Sequence, residues 1–133
     1  VIEPAGGLTR TLFAILCSSY DEDTVNDTTR TLFRFNFDIA PIQIAILPLS
    51  KKDNLINTSK KIKTKLQRSF RTEIDITQSI GKRYRRQDEI GTPYCITVDF
   101  ETMDDDSVTI RNRDTMNQER VEINKLHDYF ENI

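Results

Sequence analysis

Four cationic side chains surround a single tyrosine in the segment Ile80–Phe100, which reads IGKRYRRQDEIGTPYCITVDF. The tyrosine is Tyr84, and the cations are Lys82, Arg83, Arg85 and Arg86. Like charges packed this closely repel one another unless an anion lies among them, and an aromatic ring offers a face on which a base can stack. The segment therefore predicts a binding site for RNA or DNA.

An ordinary solvent-exposed helix face is the alternative interpretation of the same cluster. Arg85 and Glu89 stand four residues apart, so on a helix they can form a surface ion pair worth only about 0.3–0.5 kcal/mol. The cluster alone leaves both interpretations open.

The charge of the whole chain is unevenly distributed. The formal net charge is −2, yet residues 51–86 hold 12 Lys and Arg against 3 acids, a net of +9, so the remainder carries −11. Such a chain can present one positive face to a polyanion while its acidic parts keep it in solution.

The elements that must position these residues follow from periodicity and turn signals. A strand ending at Glu3, a glycine turn and a helix bearing Leu12 and Phe13 come first, and residues 21–29, DEDTVNDTT, are interpreted as a surface linker at a domain boundary. Strands are predicted at Pro41–Leu47, Thr72–Ile76, Tyr94–Phe100, Val108–Arg111 and Glu119–Ile123, with helices at residues 53–70, 79–90 and 125–133. This order predicts an α/β fold, a mixed five-stranded sheet covered by helices.

Several other functions lack support in the composition. No run approaches the roughly 18 to 20 apolar residues of a membrane span, and no signal peptide begins the chain, which predicts a soluble intracellular protein. Cys17 and Cys95 stand far apart without a CxxC pattern and are interpreted as buried, reduced thiols. The single histidine, His127, has no nucleophile motif around it, which argues against triad chemistry.

Four successive segments resemble one family: VIEPAGGLTR, APIQIAILPL, SIGKRYRRQDEIGTPYCITVDF and VTIRNRDTMNQERV. Their order is similar to the C-terminal part of glycyl-tRNA synthetases of the homodimeric class II type. The resemblance implies a fragment, with residues 1–30 a remnant of the catalytic core and a linker, and residues 31–133 the anticodon-binding domain. The family fold implied for that domain has three layers, a mixed five-stranded sheet flanked by helices.

The resemblance also implies roles for the N-terminal residues. Arg10 corresponds to the arginine that stacks on the adenine of ATP, and the remnant of the glycine pocket comprises Glu3, Pro4, Ala5, Gly6 and Gly7. Ala5 stands where the family usually has serine, which removes a hydroxyl. Motifs 1 and 2 are absent, so the fragment is predicted to be inactive, with no catalytic residue, metal ligand or cofactor of its own. The full-length enzyme would use ATP and Mg²⁺.

The anticodon-binding residues implied by the resemblance are Lys82, Arg83, Tyr84, Arg85, Phe100 and Arg113. Tyr84 and Phe100 would stack on bases, the fork of Arg113 would read a base edge, and the other cations would hold phosphates. Tyr84 and Phe100 as core side chains, and Arg113 in a turn held by Asp114, remain open alternatives. The implied partner is tRNA(Gly), with a homodimeric, cytoplasmic parent enzyme and neither membrane nor DNA. A protein-interaction module of the same fold is the competing function.

Overall fold

A five-stranded mixed sheet organises residues 2–133, the part of the chain that the computed structural model describes. Its strands are β3 (Ile44–Pro48), β4 (Thr72–Ile74), β5 (Tyr94–Val98), β6 (Ser107–Asn112) and β7 (Gln118–Glu122), in the order β4-β3-β5-β6-β7. β3 runs parallel to both β4 and β5, whereas β6 and β7 continue the sheet in antiparallel pairs. The predicted mixed five-stranded sheet is confirmed.

After β3, the chain forms a strand on one side of β3 and then a strand on its other side, so the helices in these two connections cover opposite faces of the sheet. The crossover helices are α2 (Asp53–Leu66) and α3 (Ile80–Ile90). α2 and the last helix, α5 (Leu126–Glu131), bury their apolar residues against Ile44, Ile46 and Ile96. On the other face, Ala45, Leu47 and Cys95 meet α3, so the domain has the predicted three layers.

The ends of the helices follow local signals. α3 ends at Gly91, whose φ of +89° is a left-handed conformation that a side chain resists. The Phe35 ring lies directly where a Cβ on Gly91 would stand. A short helix, α4 (Thr102–Asp105), and a 3₁₀ turn at Ile123–Lys125 complete the C-terminal half.

The predicted linker at residues 21–29 is wrong, because those residues form a β-hairpin. Its strands are β1 (Tyr20–Val25) and β2 (Thr28–Phe33), paired in antiparallel register. Asn26 and Asp27 turn the chain with φ of 50° and 60°, the left-handed pair that suits a two-residue hairpin turn. Leu32 is fully buried, so the hairpin is packed onto the domain.

The predicted domain boundary between residues 30 and 31 would divide the hairpin. That boundary falls inside β2. The assignment of residues 1–30 to another core remains a prediction, and the packing of the hairpin favours a boundary before Tyr20.

The N-terminal helix, α1 (Leu8–Ser19), has no buried residue. Leu8 is 87% exposed and Phe13 is 68% exposed. Val1 of the predicted first strand lies outside the described residues, and Ile2 and Glu3 are not in a strand. Cys17, predicted to be buried, is exposed on this helix, whereas Cys95 is buried and burial raises the pKa of its thiol to about 12. No helix among residues 2–133 is long and apolar enough to cross a membrane.

Candidate nucleic-acid interface

The basic side chains of helix α3 lie on different faces of the helix. Arg83, Gln87 and Asp88 are buried against the rest of the domain. Lys82 and Arg85 lie on the opposite face and are exposed. The helical repeat therefore separates cations that solvent can reach from cations that serve the fold.

Arg83 belongs to the second group, and its burial argues against the predicted role in RNA binding. Its side chain is 4% exposed. One terminal nitrogen donates to the carbonyl oxygens of Pro48 at 2.6 Å and Asp75 at 3.3 Å, and Nε donates to that of Gln78 at 3.1 Å. The Pro48 carbonyl lies at the end of β3 and the Asp75 carbonyl directly after β4, so Arg83 ties α3 to the ends of two parallel strands and leaves almost no accessible surface for a phosphate.

Tyr84 lies half-buried between α3 and the sheet. Its hydroxyl shares a hydrogen bond with the Thr97 hydroxyl on β5, and burial raises the pKa of the phenol. The Arg111 guanidinium sits 4.8 Å from the ring centroid, a cation–π contact that covers part of the ring. The predicted stacking platform is therefore already shared with an arginine that sequence reasoning did not identify.

Arg111 is part of a buried ionic network centred on Asp88. Both terminal nitrogens of Arg111 donate to the Asp88 carboxylate, at 2.9 and 3.0 Å. Arg30, from the hairpin, donates to the same carboxylate at 3.1 Å and to Asp23 at 2.6 and 2.7 Å. The network joins β2, α3 and β6, and no local pattern reveals it because Arg30 and Asp88 are 58 residues apart.

Arg113 also has a structural role, and its burial argues against the predicted role in reading a base. It is 3% exposed, and its terminal nitrogens donate to the carbonyl oxygens of Gly91 at 2.8 Å and Phe35 at 2.9 Å. A bond from Nε to Asp114 at 2.9 Å matches the alternative of a turn held by an Arg–Asp pair. All three guanidinium nitrogens of Arg113 therefore donate hydrogen bonds within the domain.

Phe100 lies on the surface just after β5. Its side chain is 44% exposed, and the Lys52 ammonium stands 4.9 Å from the ring centroid. The backbone amide of Leu49 donates to the Val98 carbonyl, so the chain segments that carry Lys52 and Phe100 leave the carboxyl ends of β3 and β5 side by side. In open α/β sheets, this edge is where ligands bind.

The residues matched to the catalytic remnant do not form a site among themselves. Glu3, Pro4, Ala5, Gly6 and Gly7 are exposed and lie outside regular structure, and Arg10 is exposed on α1. Chain neighbours aside, no atom of residues 2–133 comes within 4 Å of the place where a Cβ on Gly6 would stand, and the three atoms nearest to a Cβ on Gly7 would belong to Arg10. Residues this open cannot enclose a nucleotide or an amino acid.

His127 has neighbours that its sequence context did not suggest. Ser69 Oγ lies 3.0 Å from its Nε2, and Glu131 lies 3.6 Å from its Nδ1. Together with Asp128, His127 and Glu131 are also close enough to meet one metal ion. Ser69, Asp128 and Glu131 are exposed, and no buried acid in the described part of the chain holds the imidazole as a catalytic triad requires.

The amino-acid sequence of the chain matches the model of a known protein family. The family model described as "Anticodon binding domain" matches residues 43–133. The chain therefore belongs to the anticodon-binding domain family, and the predicted resemblance is confirmed at that level.

Individual proteins with similar sequences indicate which members of the family resemble this chain. The chain is 54% identical over 132 residues to a glycine–tRNA ligase from Ruminiclostridium cellulolyticum, covering 98% of this chain and 28% of that protein. It is 47% identical over 126 residues to the glycine–tRNA ligase of Treponema denticola, covering 91% of this chain and again 28% of the relative. The chain thus spans little more than a quarter of the length of these relatives.

Solved structures share the fold. The RNA binding domain of threonyl-tRNA synthetase from Cryptosporidium parvum matches with a TM-score of 0.67 and 24% identity, covering 74% of this chain and 25% of that one. Prolyl-tRNA synthetase from the same organism matches with a TM-score of 0.70 and 19% identity, covering 77% and 22%. At these identities the likeness supports the three-layer fold alone.

Proposed function

We propose that this chain recognises the anticodon loop of tRNA(Gly) as part of a glycine–tRNA ligase. The observation that carries the proposal is the combination of family membership with the similarity to glycine–tRNA ligases over nearly the whole chain. In the whole protein, a cytoplasmic homodimer, this domain would hold tRNA while a separate site attaches glycine to it with ATP and Mg²⁺.

The exposed face of α3 and the neighbouring sheet edge supply the contacts. Lys82 and Arg85 are accessible cations in the first two turns of this helix, suited to phosphates of a loop. Phe100, with Lys52 against its ring, offers an exposed aromatic surface on which an unpaired base can stack. Tyr84 bonds to Thr97, three residues before Phe100 on the same segment, so both aromatics border one region of the domain.

Arg10 and the Glu3–Gly7 segment are exposed among residues 2–133 and by themselves do not surround ATP or glycine. In this proposal, the contribution of the anticodon-binding domain to the reaction is to bind and orient tRNA.

Binding to isolated anticodon stem-loops tests the proposal. The chain should bind a stem-loop with a glycine anticodon more tightly than one with swapped anticodon bases, and equal affinities would overturn base recognition. Lys82→Ala should weaken binding and reduce the slope of log affinity against log salt by about one. Lys65→Ala, an exposed lysine on α2 across the sheet, is the matched control and should leave both quantities unchanged.

The competing function, a protein-interaction module, predicts a different response to salt. Association through an apolar surface persists as salt rises, whereas RNA binding weakens steeply because released counterions drive it. A partner protein retained at high salt, with no affinity for the stem-loop, would favour that function.

A further inference from the structure

The hairpin lies outside the part of the chain that the family model matches, yet its turn forms one wall of a cavity against that part. The cavity has a volume of about 340 Å³, within the range of pockets that hold small ligands. Val25, Asn26 and Thr28 line it from the hairpin, and Tyr84 and Arg85 line it from α3. The remaining wall comes from β6 and the segment that leads into β7.

The lining has the chemistry of a nucleotide site. Arg30, Arg111 and Asp88 contribute to it as members of the buried ionic network, in which Asp88 and Asp23 balance the two arginines, so the exposed Arg85 is the cation of the lining that remains for a phosphate. Asn26 in the hairpin turn and Gln118 in β7 are exposed amides of the lining, and an amide can both donate to and accept from the edge of a base. Tyr84 and Met116 add the apolar surface that a base plane requires.

The walls are held in place before any ligand arrives. Arg30 and Arg111 meet on the buried carboxylate of Asp88, which joins the hairpin wall to the α3 and β6 walls. Two lining residues from different segments, Asn26 and Met116, have φ of 50° and 59°. A left-handed methionine is uncommon and costs free energy, and such strain concentrates at binding sites.

We propose that the hairpin turn completes a pocket for one unpaired nucleotide of the bound RNA loop. The base enters between the hairpin and α3, where the Asn26 and Gln118 amides meet its edge, and its phosphate pairs with Arg85 at the rim. The inference rests on the proposed function, because it names where on that RNA-binding surface a nucleotide sits. It also extends the reading surface to residues 25–28, which the family model does not match.

Two adjacent threonines provide a matched test of the pocket. Thr28 lines the cavity and Thr29 does not, and consecutive strand residues point to opposite sides. Thr28→Glu places a carboxylate in the pocket, whereas Thr29→Glu adds the same charge to the chain outside it. In the full 133-residue chain, Thr28→Glu should weaken binding of the anticodon stem-loop about tenfold or more, and Thr29→Glu less than about twofold, with equal melting temperatures.

A second variant tests the base contact without adding charge. Asn26→Gly removes the amide while glycine keeps the left-handed backbone, so it should reduce discrimination between anticodon bases with little change in stability. Wild-type affinity and discrimination in both Thr28→Glu and Asn26→Gly would overturn the pocket while leaving the proposed function intact. Failure of the wild-type chain to distinguish the swapped stem-loops would instead overturn the proposed function.

Discussion

Replacing Arg113 with alanine should unfold the domain more readily instead of altering which RNA it prefers. The side chain donates to the carbonyls of Gly91 and Phe35, at 2.8 and 2.9 Å, and both residues are buried. A hydrogen bond from a charged donor contributes about 1.5–3 kcal/mol, and a buried carbonyl left unpaired costs about 1–3 kcal/mol. These two energies describe the same two hydrogen bonds, so they are not added to each other. For the loss of both bonds, we expect the free energy of unfolding to fall by about 3–5 kcal/mol in total.

Urea denaturation measures this loss. With a slope of about 2 kcal/mol per molar urea, the midpoint should move down by about 2 M. Arg113→Lys keeps the charge but not the planar fork, so it should recover only part of the loss. Lys82→Ala, at an exposed position, is the control and should change the unfolding free energy by less than about 0.5 kcal/mol. If Arg113→Ala unfolded at the wild-type urea concentration and lost base discrimination, Arg113 would be a base-reading residue after all.

Three further perturbations follow from the same contacts. Gly91→Ala should lower the unfolding free energy by at least about 2 kcal/mol in urea titrations, because its φ is positive and the Phe35 ring occupies the Cβ position; an unchanged midpoint would contradict this. Asp88→Ala leaves Arg111 buried without a carboxylate and removes one of the two carboxylates of Arg30, so it should cost about 3–5 kcal/mol, with hydrogen exchange accelerated first in β2; uniform protection across the domain would argue against the network as the hairpin anchor. The hydrogen bond from Arg30 lowers the pKa of Asp23 from its usual 3.8, so this carboxylate stabilises the fold above that pH and the stabilisation disappears as pH falls through the lowered pKa. The urea midpoint should therefore decrease when the pH is brought below about 4, and it should decrease less in Asp23→Asn. A midpoint that rises on acidification would refute the assignment.

The central sheet was predictable because its strands carry their own signals. β3 and β5 are short apolar runs bounded by proline and glycine, as expected for strands buried on both faces. Gly91 likewise marks the end of α3 in the sequence, since only a residue tolerant of positive φ ends a helix in this way. Signals of this kind are local, so they can be recognised without knowledge of the tertiary contacts.

The hairpin was missed because its stability is not local. Its residues are mostly threonine and acids, whose polarity is typical of a loop, and the turn residues Asn26 and Asp27 are its one local signal. The contacts that hold it, from Arg30 to Asp88 and from Phe33 towards Gly91, join residues nearly 60 positions apart. A strand secured in this way follows from tertiary packing, which outweighs propensity.

The basic cluster was predicted as a unit, whereas the structure divides it. The necessary signal was the helical repeat: Ile80, Arg83 and Gln87 recur at intervals of three and four, which places Arg83 on the inward face. Sequence reasoning counted the charges without assigning them to faces. For Arg113, the neighbouring Asp114 already indicated a turn, and the buried carbonyls that complete its role could not be inferred from the sequence.

The division of the arginines also explains how a chain with net charge −2 can suit a polyanion. The charges of Arg30 and Arg111 are balanced by Asp88 and Asp23, and the buried Arg83 donates its hydrogen bonds to backbone carbonyls, so none of the three offers an exposed cation to a ligand. Lys82 and Arg85 form no ion pair with any of the residues 2–133. Stability and RNA affinity should therefore respond to different substitutions: inward arginines should change unfolding, and outward cations should change binding and its dependence on salt.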